Sequence, residues 1–145
     1  MTGLLILCGS VGLTVIAGLV HRSRDGRVRA GARDDSAGTR DDNLRQVLDR
    51  LGQAPGARAT LLQFSSAFCA PCRATRRILT EVSAMVDGVT HVEVDAEQQL
   101  ELVRQLRIRK TPTTLILDGQ ARELQRATGQ PRKADVLAAL GQALR

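Results

Sequence analysis

Two hydrophobic periods alternate along residues 41–145. Leu44, Val47, Leu48 and Leu51 follow the i, i+3, i+4, i+7 spacing of an amphipathic helix that stops at Gly52, with Asp41 and Asp42 at its positive end. After the Pro55-Gly56 turn, Ala59–Phe64 is a short apolar run that reads as a buried strand. A helix from about Pro71 to Val86 follows, carrying Ile78, Leu79, Val82 and Met85 on one side. Val89–Val94 then reads as a strand and Glu97–Leu106 as a helix with Leu100, Val103 and Leu106 inward. Beyond Pro112, Thr113–Leu117 is β-rich, Asp118-Gly119 signals a hairpin turn, and Ala121–Ala127 completes the hairpin. The last helix, about Lys133–Leu144, carries Val136, Leu137, Leu140 and Leu144 on its apolar face. The order α-β-α-β-α-β-β-α predicts an α/β fold: parallel pairing through crossover helices, one antiparallel hairpin, and a mixed four-stranded sheet with helices on both faces.

The amino-terminal 40 residues follow neither period. Thr2–Val20 contains no ionisable side chain except the Cys8 thiol, and a helix of that length approaches the ~30 Å hydrocarbon thickness of a bilayer. The basic n-region and small-residue cleavage site of a secretory signal are missing, which favours a retained, single-pass anchor. His21, Arg22, Arg24, Arg27, Arg29 and Arg33 follow the span, so the positive-inside rule places the C-terminal side in the cytoplasm, at the plasma membrane. Residues 21–40 hold almost no large apolar side chain and read as a flexible basic tether. The expected organisation is therefore an anchor at 1–20, a linker at 21–40 and one domain at 41–145. Cys8 reads as a small apolar residue of the anchor.

Composition narrows the function classes. The formal charge is +6, but residues 1–40 carry six Arg against three Asp, and the remainder carries thirteen Arg and two Lys against twelve acids. Half of the excess thus belongs to the anchor's flank, and the rest is interspersed. With two Phe, Phe64 and Phe68, and no Trp or Tyr, the chain has no stacking platform for single strands. A nucleic-acid partner is not expected.

The chemistry concentrates where the first strand of the domain meets its helix. Phe64-Ser65-Ser66-Ala67-Phe68-Cys69-Ala70-Pro71-Cys72-Arg73 puts Cys69 at a helix N-terminus, where unpaired N–H groups and the positive dipole end stabilise a thiolate. Two intervening residues let the Cys72 sulfur reach Cys69, and Pro71 is tolerated in the first turn because its missing N–H would be unpaired there. Arg73, Arg76 and Arg77 add positive charge nearby, or are solvated helix positions.

The segment from Phe64 to Cys72 resembles the strand, loop and Cys-Gly-Pro-Cys motif of the thioredoxin family, and Thr111-Pro112-Thr113 resembles that family's cis-proline loop. Asp95, Asp118-Gly119 and Gly129 fall in matching order. The resemblance covers about residues 41–145. It implies a protein-disulfide reductase in which Cys69 attacks a substrate disulfide and Cys72 resolves the mixed disulfide. It also implies that Phe68, Thr111 and Pro112 meet the substrate, that no cofactor is bound, and that an upstream electron donor regenerates the dithiol.

Two departures stand out: Phe68 occupies the place of the family's tryptophan, and Gln63, which cannot titrate, the place of its buried aspartate. The family's lysine on the next strand corresponds to His91, whose unperturbed pKa near 6.5 suits proton exchange. His91, through Gln63, is therefore a candidate proton carrier; the alternative is a strand histidine without a role. A second functional class remains open, a Cu(I)-binding or cytochrome and oxidase assembly module using the same cysteines, although a structural zinc site normally requires four ligands.

Overall fold

The computed structural model describes residues 12–19, 28–30 and 37–144. In chain order the elements are α1 (12–19), β1 (Val28–Ala30), α2 (Ala37–Arg50), β2 (Ala59–Ser65), α3 (Ala70–Met85), β3 (Val89–Asp95), α4 (Leu100–Gln105), β4 (Thr113–Asp118), β5 (Glu123–Thr128) and α5 (Lys133–Ala143). β2 is buried along its whole length and lies inside a sheet of order β1-β5-β4-β2-β3. It pairs parallel with β3 and antiparallel with β4, which continues antiparallel into β5. These are the four expected strands in a mixed sheet.

Alternation along the strands divides the core in two. Leu62 and Phe64 of β2 join Val92, Val94, Leu115 and Leu117 beneath Leu44, Val47 and Leu48 of α2 and Leu102 and Leu106 near α4. Ala59 and Leu61 of β2 join Val89 and Ile116 beneath Leu79 and Val82 of α3 and Val136 and Leu140 of α5. Each β2 side chain thus meets a helix layer on one face or the other, which explains an uninterrupted apolar run instead of polar alternation. Gln63 continues the α3 face, so a polar side chain is fully buried there.

Several elements differ from the sequence reading. α2 starts at Ala37, inside the expected tether, so Asp41 and Asp42 lie beyond its first turn. Val28–Ala30, also placed in the tether, pairs antiparallel with β5 and covers that edge, occupying ladder groups that would otherwise stand open. α4 is shorter than expected because Asp95 accepts from the Glu97 N–H at 2.8 Å and from Gln98 Nε2 at 2.9 Å, holding residues 95–98 in a turn. The late start turns the inward face to Leu102 and Leu106 and leaves Leu100 exposed. Met85, at the last turn of α3, is exposed, and Val86 packs against the core instead. The hairpin turn is longer than a two-residue loop: the N–H of Asp118 donates to Arg122 and that of Ala121 to Asp118, with Ala121 at φ 63°.

Among the described residues, no helix is long and apolar enough to cross a membrane. Of the stretch 2–20 only residues 12–19 are described; they are helical, with Leu13, Val15, Ile16 and Leu19 exposed. The rest of that stretch, Cys8 included, and the linker apart from residues 28–30 and 37–40 lie outside the described residues.

Candidate active site

The C-terminal ends of β2 and β3 and the start of β4 meet at one end of the sheet, with Ser65 opposite Asp95 and Phe64 opposite Thr113. The loop leaving β2 passes Phe68, which has φ 57° and is fully exposed, and enters α3 with Cys69 as the N-cap. Cys69 Sγ accepts from the Cys72 N–H at 3.2 Å, and its carbonyl accepts from Cys72 and Arg73. The sulfur therefore sits at the positive end of α3, where N–H groups favour a thiolate over a thiol. Cys69 and Cys72 form a disulfide, Cys69 partly exposed and Cys72 buried. The first sulfur is thus open to solvent, while the second is enclosed.

The Thr111–Pro112 peptide bond is cis. Ser66 Oγ lies 2.8 Å from Thr111 Oγ1, tying the loop before the dithiol to the proline loop, and the Gly129 N–H donates to the Pro112 carbonyl at 2.8 Å. Pro71, Thr111, Pro112 and Gly129 line one cleft of about 440 Å³, with Lys110 and Arg132 at its rim. Cys69, Cys72, Phe68, Thr111 and Pro112 thus gather at one end of the sheet.

Gln63 and His91 lie beneath the dithiol, on the face covered by α3. Gln63 Nε2 donates to Ser65 Oγ at 2.8 Å and to the Cys72 carbonyl at 3.0 Å, leaving Oε1 to accept from His91 Nε2 at 3.1 Å. That fixes the imidazole tautomer: Nε2 bears the proton, and Nδ1 accepts from Thr80 Oγ1 at 3.3 Å. Gln63 and His91 are therefore in direct contact, and Gln63 reaches the backbone of Cys72. Burial pushes the His91 pKa down, aided by Arg76 and opposed by Glu93, so the ring is held neutral.

Glu93, which the sequence reading passed over, completes the cluster. It is paired with Arg76, whose Nη2 donates at 2.9 Å, and Gln63 Nε2 lies 3.5 Å from its Oε1. Burial pushes the Glu93 pKa up, but bonds from Arg76 and Ser65 and the nearby positive charge outweigh it and leave it lowered. The signal was present as the His91-x-Glu93-x-Asp95 alternation on β3, since positions two apart share a face. Two hydroxyls, Thr75 Oγ1 and Thr114 Oγ1, are buried without a hydrogen-bond partner. Thr75 lies one turn beyond Cys72, and Thr114 is paired in register with Gln63.

His91 is engaged at both nitrogens, and among the described residues no three His, Cys, Asp or Glu side chains are grouped to hold an ion.

Comparison with known proteins agrees with this geometry. Thioredoxin H5 of Oryza sativa subsp. japonica is 33% identical over 64 residues, which is 44% of this chain and 47% of that relative, so the match spans about half the relative's length. A thioredoxin of Nicotiana alata superposes with a TM-score of 0.58 at 20% identity, covering 73% of this chain and 90% of that one. Spinach chloroplast thioredoxin f gives 0.56 at 22% identity, covering 71% and 88%. The thioredoxin family model matches residues 36–142, which include α2, the dithiol, the cis-proline loop and all but the last residue of α5, and the chain belongs to the thioredoxin family.

Proposed function

We propose that the chain is a membrane-tethered thiol–disulfide oxidoreductase that reduces protein disulfides. The observation carrying this reading is a Cys69–Cys72 pair that closes on the N-terminus of α3, beside a cleft lined by Thr111 and cis-Pro112. In the reduced protein the Cys69 thiolate attacks one substrate sulfur, the substrate S–S bond breaks, and the other substrate sulfur leaves as a thiolate that takes up a proton. Cys72, having lost its proton, attacks Cys69 Sγ; the mixed disulfide breaks, the second substrate thiol departs, and the Cys69–Cys72 disulfide forms. Two electrons pass from the dithiol to the substrate, and an upstream dithiol donor restores them. Phe68 supplies an apolar lip, and the loop of Thr111 and Pro112 receives the substrate segment.

The buried Cys72 needs a route for its proton, and Gln63 cannot accept one. Neutral His91, joined to Gln63, is a base of this network: with Nε2 protonated toward Gln63, its lone pair lies on Nδ1 beside Thr80, and taking up a proton there would make it the proton carrier in place of the family's aspartate and lysine. If the pH profile of disulfide reduction is the same for His91→Ala and wild type, this role is excluded.

The reading continues to residues 2–20 as a single-pass anchor, followed by the linker and a cytoplasmic domain. The exposed apolar side chains of α1 support it. An alkaline phosphatase fusion after Arg145 should be inactive and a matched fluorescent fusion bright; the reverse pattern would invert the orientation.

The function is tested by insulin-disulfide reduction with the full chain. Wild type should outpace Cys69→Ser, and Cys72→Ser should accumulate a mixed disulfide; equal rates for wild type and Cys69→Ser would refute the enzyme reading. A redox titration sets the direction: a potential near ~ −270 mV marks a reductant, one near ~ −120 mV an oxidant.

A further inference from the structure

β1 is antiparallel to β5, with Val28 opposite Ala127 and Ala30 opposite Gln125, so the chain enters β1 at the Thr128 end of β5. That end carries the dithiol: Gly129 bonds Pro112, and Thr111 bonds Ser66 in the loop before Cys69. In sequence, Val20 closes the apolar stretch, and the eight residue steps from Val20 to Val28 can reach no more than ~28 Å. The tip of the β4–β5 hairpin lies at the far end of the sheet, about 20 Å away at ~3.3 Å per residue. The attachment point therefore lies at the dithiol end of the domain and not at the hairpin tip.

Charge points the same way. Around the dithiol end the exposed Arg73, Arg109 and Lys110 outnumber Asp95 and Glu97, with Arg132 paired to Asp135 at 2.9 Å. At the far end Arg58 and Arg122 are matched by Asp87 and Asp118, and Arg122 is paired with Asp118 at 2.7 Å. A basic surface held within reach of a cytoplasmic leaflet is attracted to its anionic headgroups.

We propose that the dithiol end of the domain faces the anionic bilayer surface, so that its substrates are disulfides in the juxtamembrane segments of membrane proteins. This rests on residues 2–20 being the anchor and on Cys69–Cys72 being the reactive pair. β1 acts as the strap that sets the orientation. A substrate cysteine close to the membrane shares the confined volume beneath the domain and meets Cys69 at a raised effective concentration.

The test uses the full chain in vesicles containing phosphatidylserine and a headgroup-attached quencher. A fluorophore is placed on Cys69 in a Cys8→Ser, Cys72→Ser background, or on Gln120→Cys in a background lacking all three native cysteines. Quenching at Cys69 should exceed that at the hairpin tip about twofold or more, the tip standing ~20 Å farther from the headgroups by strand length in this orientation. Inserting a long Gly-Ser segment after Arg27 should remove the difference. Equal quenching, or stronger quenching at the tip, in a chain that sediments with the vesicles overturns the orientation while leaving the anchor standing. A chain that stays in the supernatant overturns the anchor and this inference with it. With wild-type protein, a peptide disulfide fixed to the vesicle surface should be reduced about threefold or more faster than the same peptide in solution. Equal rates overturn the substrate class, and rates no faster than those of Cys69→Ser overturn the oxidoreductase reading itself.

Discussion

Gln63→Leu is the sharpest probe of the polar cluster under the dithiol. The side chain is fully buried and makes two short donor bonds, to Ser65 Oγ and the Cys72 carbonyl, and one acceptor bond from His91 Nε2. Leucine fills a similar volume, so packing changes little and the lost bonds dominate. Each contributes about 1 kcal/mol net, giving a destabilisation of about 2–3 kcal/mol. For a domain of this size that lowers Tm by ~10 °C. The His91 share is isolated by a double-mutant cycle with His91→Leu, where the coupling should be about 1 kcal/mol. Urea unfolding of the oxidised chain, followed by far-ultraviolet circular dichroism, gives all four free energies. A Gln63→Leu loss below about 0.5 kcal/mol, or a coupling within about 0.3 kcal/mol of zero, would show that the network is not a stabilising unit.

Stability should fall as pH drops. His91 and Glu93 both have folded-state pKa values below 6.5 and 4.5 respectively, so in each window the unfolded chain binds a proton that the folded chain refuses. The loss begins just below pH 6.5 through His91 and resumes below pH 4.5 through Glu93; unfolding midpoints across pH should show the first step disappear in His91→Gln, and its persistence would assign the step elsewhere. Thr75→Val removes a buried hydroxyl that has no partner, so it should leave stability unchanged or raise it by up to about 1 kcal/mol, and a clear drop in Tm would mean that the hydroxyl is hydrogen-bonded in solution. Gly56→Ala should cost about 2 kcal/mol or more, because its Cβ would lie 2.1 Å from the Ala59 carbonyl oxygen and 2.8 Å from that of Gly88, both backbone atoms. Chemical denaturation that finds this variant as stable as wild type would contradict the close approach.

The main elements were legible because each carries a local signal. Leu44, Val47 and Leu48 mark a helix face, and Ala59–Phe64 a doubly covered strand, before any tertiary contact is considered. The dithiol was legible from its place at a helix N-terminus, and the proline loop from the resemblance of Thr111-Pro112-Thr113 to that of the thioredoxin family. What escaped depends on partners distant in sequence. Val28-Arg29-Ala30 is too short to show a period, and only the open edge of β5 makes it a strand. Leu100 follows helical spacing but faces outward because the Asp95 turn delays the start of α4.

Glu93 shows most clearly how register supplies what local pattern lacks. Alone, it is a charged position on the outer strand of the sheet, of the kind normally turned to water. The parallel register sets it opposite Gln63, while α3 brings Arg76 across to neutralise it. Once that carboxylate is in place, an ionised aspartate at position 63 would stand beside a second negative charge in a buried site, and its pKa would be driven up by both burial and repulsion. A carboxamide meets the same neighbours with complementary groups: N–H donors toward Ser65, Cys72 and Glu93, and an acceptor toward His91. The glutamine at this position is therefore matched to Glu93 and Arg76, and His91 is the titratable neighbour to which the proposed proton route leads. Gln63→Asp alone should consequently fail to restore the family's proton chemistry, whereas Gln63→Asp combined with Glu93→Gln removes the repulsion. The pH profile of disulfide reduction in these two variants decides between that coupling and independent drift at the two positions.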